Sequence, residues 1–180
     1  TTALIGLGNL LMSDEGIGVR VVQALIDVGS VPDDVEAMDL GPGGLTVLHA
    51  MTGFERVVFV DCAFMDLVPG SWQKFAPDQA RTVKVRGRQS LHEGDLFETL
   101  ALADRLGRSP KEIVIFGVQP QQVEPGEELS PVLRSRMTEY MDAVISELKS
   151  PVKGLGEDHR DSDGAAGEQA PVEPQEGDGA

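Results

Sequence analysis

The sequence contains a single cysteine, Cys62, among its 180 residues, so it can form no intramolecular disulfide. A chain without disulfides is typical of a reducing compartment, and we expect a cytoplasmic protein. The sequence also lacks an uninterrupted apolar run of about 18 residues, the length that a helix needs to span a bilayer. It therefore predicts a protein that is neither stabilised by disulfides nor integral to a membrane.

Basic residues are scarce as well. Fifteen Lys and Arg stand against 30 Asp and Glu, which gives a formal net charge of -15 at pH 7. Nucleic-acid binding depends on clustered Lys and Arg that neutralise phosphates. This charge balance excludes nucleic acid as an expected partner.

Residues 151–180 differ in composition from the rest of the chain. They are rich in Gly, Pro, Glu and Asp, with no aromatic side chain and almost no large aliphatic one. Such segments cannot bury enough apolar surface to fold. We therefore predict a single α/β domain over residues 1–150, followed by a disordered acidic tail.

Short β-branched or aliphatic runs alternate along the domain with longer segments of helical periodicity. This alternation predicts a three-layer α/β fold, in which a mostly parallel, twisted sheet of about five strands has helices on both faces. The predicted strands are residues 3–7, 35–39, 56–61, 72–76 and 112–119, and the predicted helices are 17–28, 45–51, 94–106 and 131–148. Residues 77–89 have weak periodicity and fit either an edge hairpin or a mobile flap.

Polar residues occur where the predicted strands end. Ligands of open parallel sheets bind beyond the carboxyl ends of the strands, where loops and helix N-termini converge. The residues found there are Asp14 and Glu15 after the first strand, Asp39 and Asp61 at the ends of the next two, and Gln119 at the end of the last. Three strand ends thus supply carboxylates to one edge of the sheet.

The loop after the first strand begins like a dinucleotide-binding turn, with Gly6 and Gly8 between a strand and a helix. The third glycine of that fingerprint is missing, because Leu11 occupies its position. A phosphate would also meet Asp14 and Glu15 at a Coulombic cost, whereas a cation would gain from the same two acids. The loop therefore favours positive charge, and nucleotide binding is not expected.

The acids of these loops have structural explanations beside functional ones. Asp14 directly precedes a helix and is expected to be its N-cap, a role that Ser13 can also take. Glu15 gains from the same helix dipole, so its residue type alone assigns it no function. Asp61 follows the apolar run 57–60, which is typical of a buried central strand, and a buried carboxylate needs a partner.

The three histidines differ in context. His159 lies in the predicted tail, and His49 lies among apolar residues of a predicted helix, which favours a structural role. His92 lies in a polar loop that leads into a helix, where its imidazole could reach the crevice while a neighbour holds its second ring nitrogen. From the residues alone, a structural and a functional role both remain open for His92.

Asp, Glu and His from separate loops are a suitable ligand set for a divalent metal such as nickel or zinc. No H-E-x-x-H or C-x-x-C motif occurs, so a metal site depends on residues that converge in space. The G-x-S-x-G motif of serine hydrolases is also absent, and Cys62 has no identifiable base. The residue types are thus compatible with a metal site, but no local motif shows which residues form it.

Five motifs in order resemble those of the [NiFe]-hydrogenase maturation endopeptidases. Residues 6–18, Gly-Leu-Gly-Asn-Leu-Leu-Met-Ser-Asp-Glu-Gly-Ile-Gly, resemble the opening signature of this family, which is the most distinctive of the five. The other four are Asp-Leu-Gly-Pro-Gly-Gly at 39–44, Val-Asp at 60–61, Ser-Leu-His at 90–92 and Gly-Val-Gln-Pro at 117–120. The resemblance covers residues 1 to about 148.

The resemblance implies an endopeptidase that removes a short C-terminal extension from the precursor of the hydrogenase large subunit after nickel insertion. It implies a phosphorylase/hydrolase-like fold, with nickel as the signal that the precursor is ready. Carried over to this sequence, the metal ligands are Glu15, Asp61 and His92. The precursor is expected to supply the nickel, although another divalent metal can occupy the site, and the enzyme is expected to be a monomer.

Several alternatives stay open at this point. The metal can polarise the scissile carbonyl or activate a water, or a carboxylate such as Asp39 can act as the base. A different class of function is a non-catalytic metal-binding or chaperone module that docks on a nickel protein.

Overall fold

The computed structural model describes residues 1–79 and 91–152, and within residues 91–95 it describes the backbone alone. The strands are β1 Thr2–Gly6, β2 Val35–Asp39, β3 Arg56–Cys62, β4 Trp72–Phe75 and β5 Glu112–Val118. The helices are α1 Ile17–Asp27, α2 Leu45–Met51, α3 Leu91–Arg105, α4 Pro131–Ser135 and α5 Met137–Leu148, and a 3-10 turn, Ser13–Gly16, precedes α1. All five predicted strands are present.

The strands form one sheet in the order β2-β1-β3-β5-β4. β1 pairs in parallel with β2 and β3, and β3 pairs in parallel with β5, whereas β4 runs antiparallel along the outer side of β5. This confirms the predicted α/β class with a mostly parallel sheet. The carboxyl ends of the four parallel strands lie at one edge, which we call the carboxyl edge, and their starts lie at the amino edge.

Both faces of the sheet are covered, because alternate residues of the central strands point to opposite sides. Val58, Val60 and Cys62 of β3 pack with α1, α4 and α5 on one face. Val57 and Phe59 pack with α2 and α3 on the other. β3 is buried along its whole length, so it forms the centre of the three layers.

The predicted helix over 131–148 is wrong in one respect, because it is two helices. Arg136 separates α4 from α5 with φ -107 and ψ 7, and its N–H donates to the carbonyl of Leu133 at 3.1 Å, a bond that closes α4 early. Gly70 packs at this break, where a Cβ on it would lie 2.8 Å from Val132 and 3.2 Å from Cδ of Arg136. The helix therefore breaks where a neighbouring loop packs closely against it. Periodicity alone does not predict such a contact.

The start of helix α3 differs from the predicted start at residue 94. α3 begins at Leu91, so His92 belongs to its first turn and not to the loop before it. Residues 77–79 form a helical turn, and the rest of the segment predicted as a hairpin or flap lies outside the described residues, as does the tail from residue 153. No helix within the described ranges is long and apolar enough to cross a membrane.

A buried ion network lies at the amino edge. Arg56, at the start of β3, is 1% exposed and pairs with Glu112 of β5 at 3.1 Å and with Glu147 of α5. Its guanidinium also donates to the carbonyl of Ser150 at 2.8 Å, and Lys74 pairs with Glu147 at 2.6 Å. The network fastens the end of α5 to the starts of two strands.

Candidate active site

The loop between β1 and α1 lies directly against the sheet. Gly8 has φ +134, and a Cβ on it would lie 1.9 Å from the carbonyl oxygen of Glu15. A Cβ on Gly18, in the first turn of α1, would lie 2.1 Å from the carbonyl oxygen of Val60. The glycines of the opening motif therefore let the Ser13–Gly16 turn and α1 sit against the ends of β1 and β3.

Asp14 is not the helix cap that was predicted. It is fully buried, and its carboxylate accepts backbone N–H groups of Gln121 at 2.9 Å, Gln122 at 3.1 Å and Ser130 at 2.7 Å. The N-cap position of α1 is Gly16, which makes no side-chain cap bond. The carboxylate thus satisfies donors of the loop after β5 in place of donors of its own helix.

Ser13 also binds this loop instead of capping. Its hydroxyl donates to the carbonyl of Glu124 at 2.9 Å, and its N–H donates to the carbonyl of Gly126 at 2.7 Å. The N–H of Gly126 donates in return to the carbonyl of Leu11 at 2.9 Å. The loops after β1 and β5 are therefore joined through main chain and side chains alike.

Glu15 and Asp61 are both buried at the carboxyl edge, 7% and 3% exposed. The turn that contains Glu15 contacts β3, the strand near whose end Asp61 lies. Oδ1 of Asp61 accepts the N–H of Cys62 at 2.8 Å, and Asp61 is in register with Gly117 of β5. The fold thus brings the elements that carry two of the predicted metal ligands into contact.

Asp39 is placed differently. It is exposed at the end of β2, and Oδ2 accepts a hydrogen bond from Nε2 of Gln23 in α1 at 3.2 Å. It shares its register row with Gly6 of β1 and Val60 of β3, so its side chain lies on the α1 face. Asp61 follows Val60 in β3 and faces the opposite side, so the possible base Asp39 and the predicted ligand Asp61 lie on different faces.

The side chain of His92 lies outside the described residues. Its backbone is in the first turn of α3, which packs through Leu96, Leu100 and Ala103 on the same face as Asp61. The other end of α3 connects to the start of β5 at the amino edge, so its first turn lies towards the carboxyl edge. The described side chains, to which that of His92 does not belong, include no group of three His, Cys, Asp or Glu that could hold a metal.

The described loops of the carboxyl edge are acidic. Residues 7–16, 39–44, 61–71 and 119–130 contain no Lys or Arg. Their acids are Asp14, Glu15, Asp39, Asp61, Asp66, Glu124, Glu127 and Glu128. Helices bring guanidinium groups to one loop, where Arg134 pairs with Glu128 at 3.0 Å and Arg20 donates to the carbonyl of Glu127. This composition attracts a cationic ligand and repels an anionic one.

The comparisons with known proteins agree with this architecture. A family model described as hydrogenase maturation protease matches residues 19–147. The chain belongs to the hydrogenase maturation protease family. It is 33% identical over 146 residues to the hydrogenase expression/formation protein HupD of Bradyrhizobium diazoefficiens, which covers 81% of this chain and 76% of that protein. It is 27% identical to the hydrogenase 2 maturation protease of Escherichia coli, over 81% of this chain and 89% of that one.

A solved structure shows the same fold. The hydrogenase maturating endopeptidase HybD from E. coli matches with a TM-score of 0.72 and 27% identity, over 82% of this chain and 91% of that one. The predicted family and its endopeptidase class are thus confirmed, and the non-catalytic alternative is set aside. The family match begins at residue 19, so it includes Asp39, Asp61 and His92 and leaves Glu15 outside.

Two further residues of this maturation protease shape the site, and sequence reasoning did not assign them that role. Oε1 of the buried Gln119 accepts the N–H groups of Met65 at 2.7 Å and Leu67 at 3.4 Å. The hydroxyl of Tyr140 donates to the carbonyl of Gly70 at 2.7 Å, and burial raises its pKa to about 12, so it stays a donor at neutral pH. Together they hold the loop that follows Asp61.

Proposed function

We propose that this hydrogenase maturation protease removes the C-terminal extension from the precursor of a [NiFe]-hydrogenase large subunit after nickel insertion. The nickel belongs to the precursor, and Glu15, Asp61 and His92 engage it. The metal then reports that the precursor is ready for cleavage.

The observation that carries this proposal is the burial of Glu15 and Asp61 at one edge, in loops without Lys or Arg. Carboxylates that are removed from water are stabilised strongly by a cation. A carboxylate pair with an imidazole suits a borderline metal such as nickel. The first turn of α3, on the face of Asp61, is where that imidazole is expected.

Engagement of the nickel would place the scissile bond beside the same side chains. Holding two reacting groups together removes much of the entropic barrier to their reaction. In the cleavage, water adds to the carbonyl carbon and the C–N bond breaks. Both protons of the water end on the departing amine, so the products are a carboxylate and an ammonium group.

The placement of Asp39 separates it from the proposed metal ligands. Asp39 is one possible base among the alternatives that the sequence leaves open, and its exposed carboxylate lies on the α1 face beside Gln23. The buried Glu15 and Asp61 are the proposed metal ligands, and Asp61 faces the side of the sheet opposite to Asp39. We therefore expect Asp39→Asn to retain the wild-type preference in Kd for nickel-loaded over nickel-free precursor. Loss of that preference would show that Asp39 takes part in nickel recognition.

The deciding experiment incubates the enzyme with nickel-loaded and with nickel-free precursor and follows the mass of the large subunit. We expect shortening only with nickel, and none with Glu15→Gln or His92→Ala. Glu36→Gln is the matched control, because it removes one negative charge from an exposed position of β2 and should cleave normally.

Circular dichroism of each variant separates loss of activity from loss of fold. Normal cleavage by both Glu15→Gln and His92→Ala would disprove the assignment of these residues. Equal cleavage of nickel-loaded and nickel-free precursor would disprove nickel recognition while leaving the protease activity intact.

A further inference from the structure

Asp14 is fully buried at the carboxyl edge and is next in sequence to Glu15. Its two carboxylate oxygens receive three main-chain N–H groups, from Gln121, Gln122 and Ser130. A carboxylate with several fixed donors has one well-defined position, because any rotation breaks a charge-assisted bond. The position of Asp14 is therefore set by the loop after β5, and not by helix α1.

Ser13, on the other side of Asp14, has φ +52, in the left-handed region that non-glycine residues seldom adopt. Such a conformation persists only where its surroundings enforce it, and it concentrates at functional sites. Here the enforcing bonds are those of Ser13 to the carbonyls of Glu124 and Gly126. We call the bonds of Ser13 and Asp14 to residues 121–130 the loop clamp.

Glu15 is fixed from two directions by its neighbours. Its carbonyl lies against Gly8, at a distance that leaves no room for a Cβ, and its N–H donates to the carbonyl of Met12 at 3.1 Å. The loop clamp holds the residue just before it. The backbone of Glu15 can thus shift only if the contact with Gly8 or the clamp gives way.

We propose that Asp14 is a positioning residue of this protease, which through the loop clamp holds Glu15 where it engages the nickel of the precursor. This inference rests on the proposed function of Glu15. Residues that orient a metal ligand typically change metal affinity or activity by 10- to 100-fold when they are replaced. Asp14 acts in this way through the backbone, without contacting the metal itself.

Asp14→Asn tests the proposal, because it keeps the shape of the side chain but turns an amide group towards main-chain donors. We expect kcat on nickel-loaded precursor, per folded enzyme, to fall about 10- to 100-fold. The preference in Kd for nickel-loaded over nickel-free precursor should shrink by a similar factor. Val144→Ala is the control, since it removes buried volume from α5 and lowers the thermal midpoint without touching the clamp.

The results separate the possible explanations. If Asp14→Asn keeps the kcat and the nickel preference of the wild type, or loses no more than Val144→Ala, Asp14 is only structural and the inference is wrong. If Asp14→Asn does not fold, Ser13→Ala decides: it removes the bond to Glu124 alone, and unchanged kinetics and preference in a folded Ser13→Ala enzyme would overturn the inference. A wild-type enzyme without any nickel preference would instead overturn the proposed function.

Discussion

The two edges of the sheet stabilise their buried acids in different ways. At the amino edge, Glu112 and Glu147 are paired with the guanidinium of Arg56, and Glu147 is paired with Lys74 as well. At the carboxyl edge, Asp14 is held by backbone N–H groups, and the loops around it contain no Lys or Arg. Buried charge needs compensation at both edges, but the compensating groups differ in charge.

This difference separates a structural edge from a binding edge. In an ion pair the cation cancels the negative charge of the carboxylate that it stabilises. The paired acids of the amino edge therefore exert only a weak electrostatic field on a ligand. Backbone dipoles hold a carboxylate in place without cancelling its formal charge. The described loops of the carboxyl edge therefore remain negative after folding, as the proposed recognition of a metal-bearing precursor requires.

The largest expected effect comes from a methyl group at the carboxyl edge. In Gly8→Ala the new Cβ would overlap the carbonyl of Glu15, and the φ of +134 is also unfavourable for alanine. We expect the free energy of unfolding to fall by more than about 4 kcal/mol, measured by urea denaturation. Gly29→Ala at the amino edge is the control, because open space surrounds it and a φ of +64 should cost only about 1 kcal/mol. Equal losses in the two variants would contradict the close packing of the site loop.

Removal of a cation from the amino edge should come next. Arg56→Ala leaves Glu112 and Glu147 buried without their guanidinium partner, which we expect to cost about 3 kcal/mol of unfolding free energy. Activity per folded molecule should not change, because this edge lies at the opposite end of the strands from the proposed cleavage site. Lys111→Ala removes the cation of the exposed Lys111–Glu55 pair and should cost less than about 1 kcal/mol. A reduced kcat in folded Arg56→Ala enzyme would show that the two edges are coupled.

The smallest effect concerns pH. Burial alone would raise the pKa of Glu147, but Lys74 and Arg56 together lower it below its ordinary 4.5. A carboxyl whose pKa is lowered by folding stabilises the folded state above its unfolded pKa, and this contribution is lost as the pH falls through the folded pKa. Lys74 is 53% exposed, so Lys74→Met should cost less than about 1 kcal/mol near neutral pH.

The pH dependence of the stability difference between wild type and Lys74→Met tests the ion pair more directly than its size at neutral pH does. The thermal midpoints of wild type and Lys74→Met should differ most above about pH 4.5 and converge at lower pH, because protonated Glu147 no longer attracts the ammonium group. A difference that stays constant through this range would mean that the pair contributes by packing and not by charge.

Much of the fold could be predicted because its signals are local. The central strand β3 is apolar on both faces, and β2 and α2 have the bounds that periodicity predicts. The break at Arg136 could not be predicted, because residues 132–148 contain no Gly or Pro and the residue that packs against the break, Gly70, belongs to another loop. Periodicity reports which face of a helix is buried, and it does not report what packs there.

Part of the candidate site could also be predicted from the sequence. The rule that ligands bind beyond strand ends brings Glu15 and Asp61 to one edge, as the structure does for the elements that carry them. The role of Asp14 was not predictable, because an acid before a helix is usually a cap and its partners are remote in sequence. That Asp39 and Asp61 lie on opposite faces follows from the register between strands. The sequence of a single strand does not show this register.

The bonds of Asp14 also bear on the order in which the molecule forms. Its partners lie 107 to 116 positions further along the chain, so a chain that is still being synthesised cannot make them until residue 130 is available. Contacts of such long range form late in folding, after local helices and strand pairs. Glu15 is thus fixed only once almost the whole domain exists, and incomplete copies of the protease should be inactive towards the precursors made beside them.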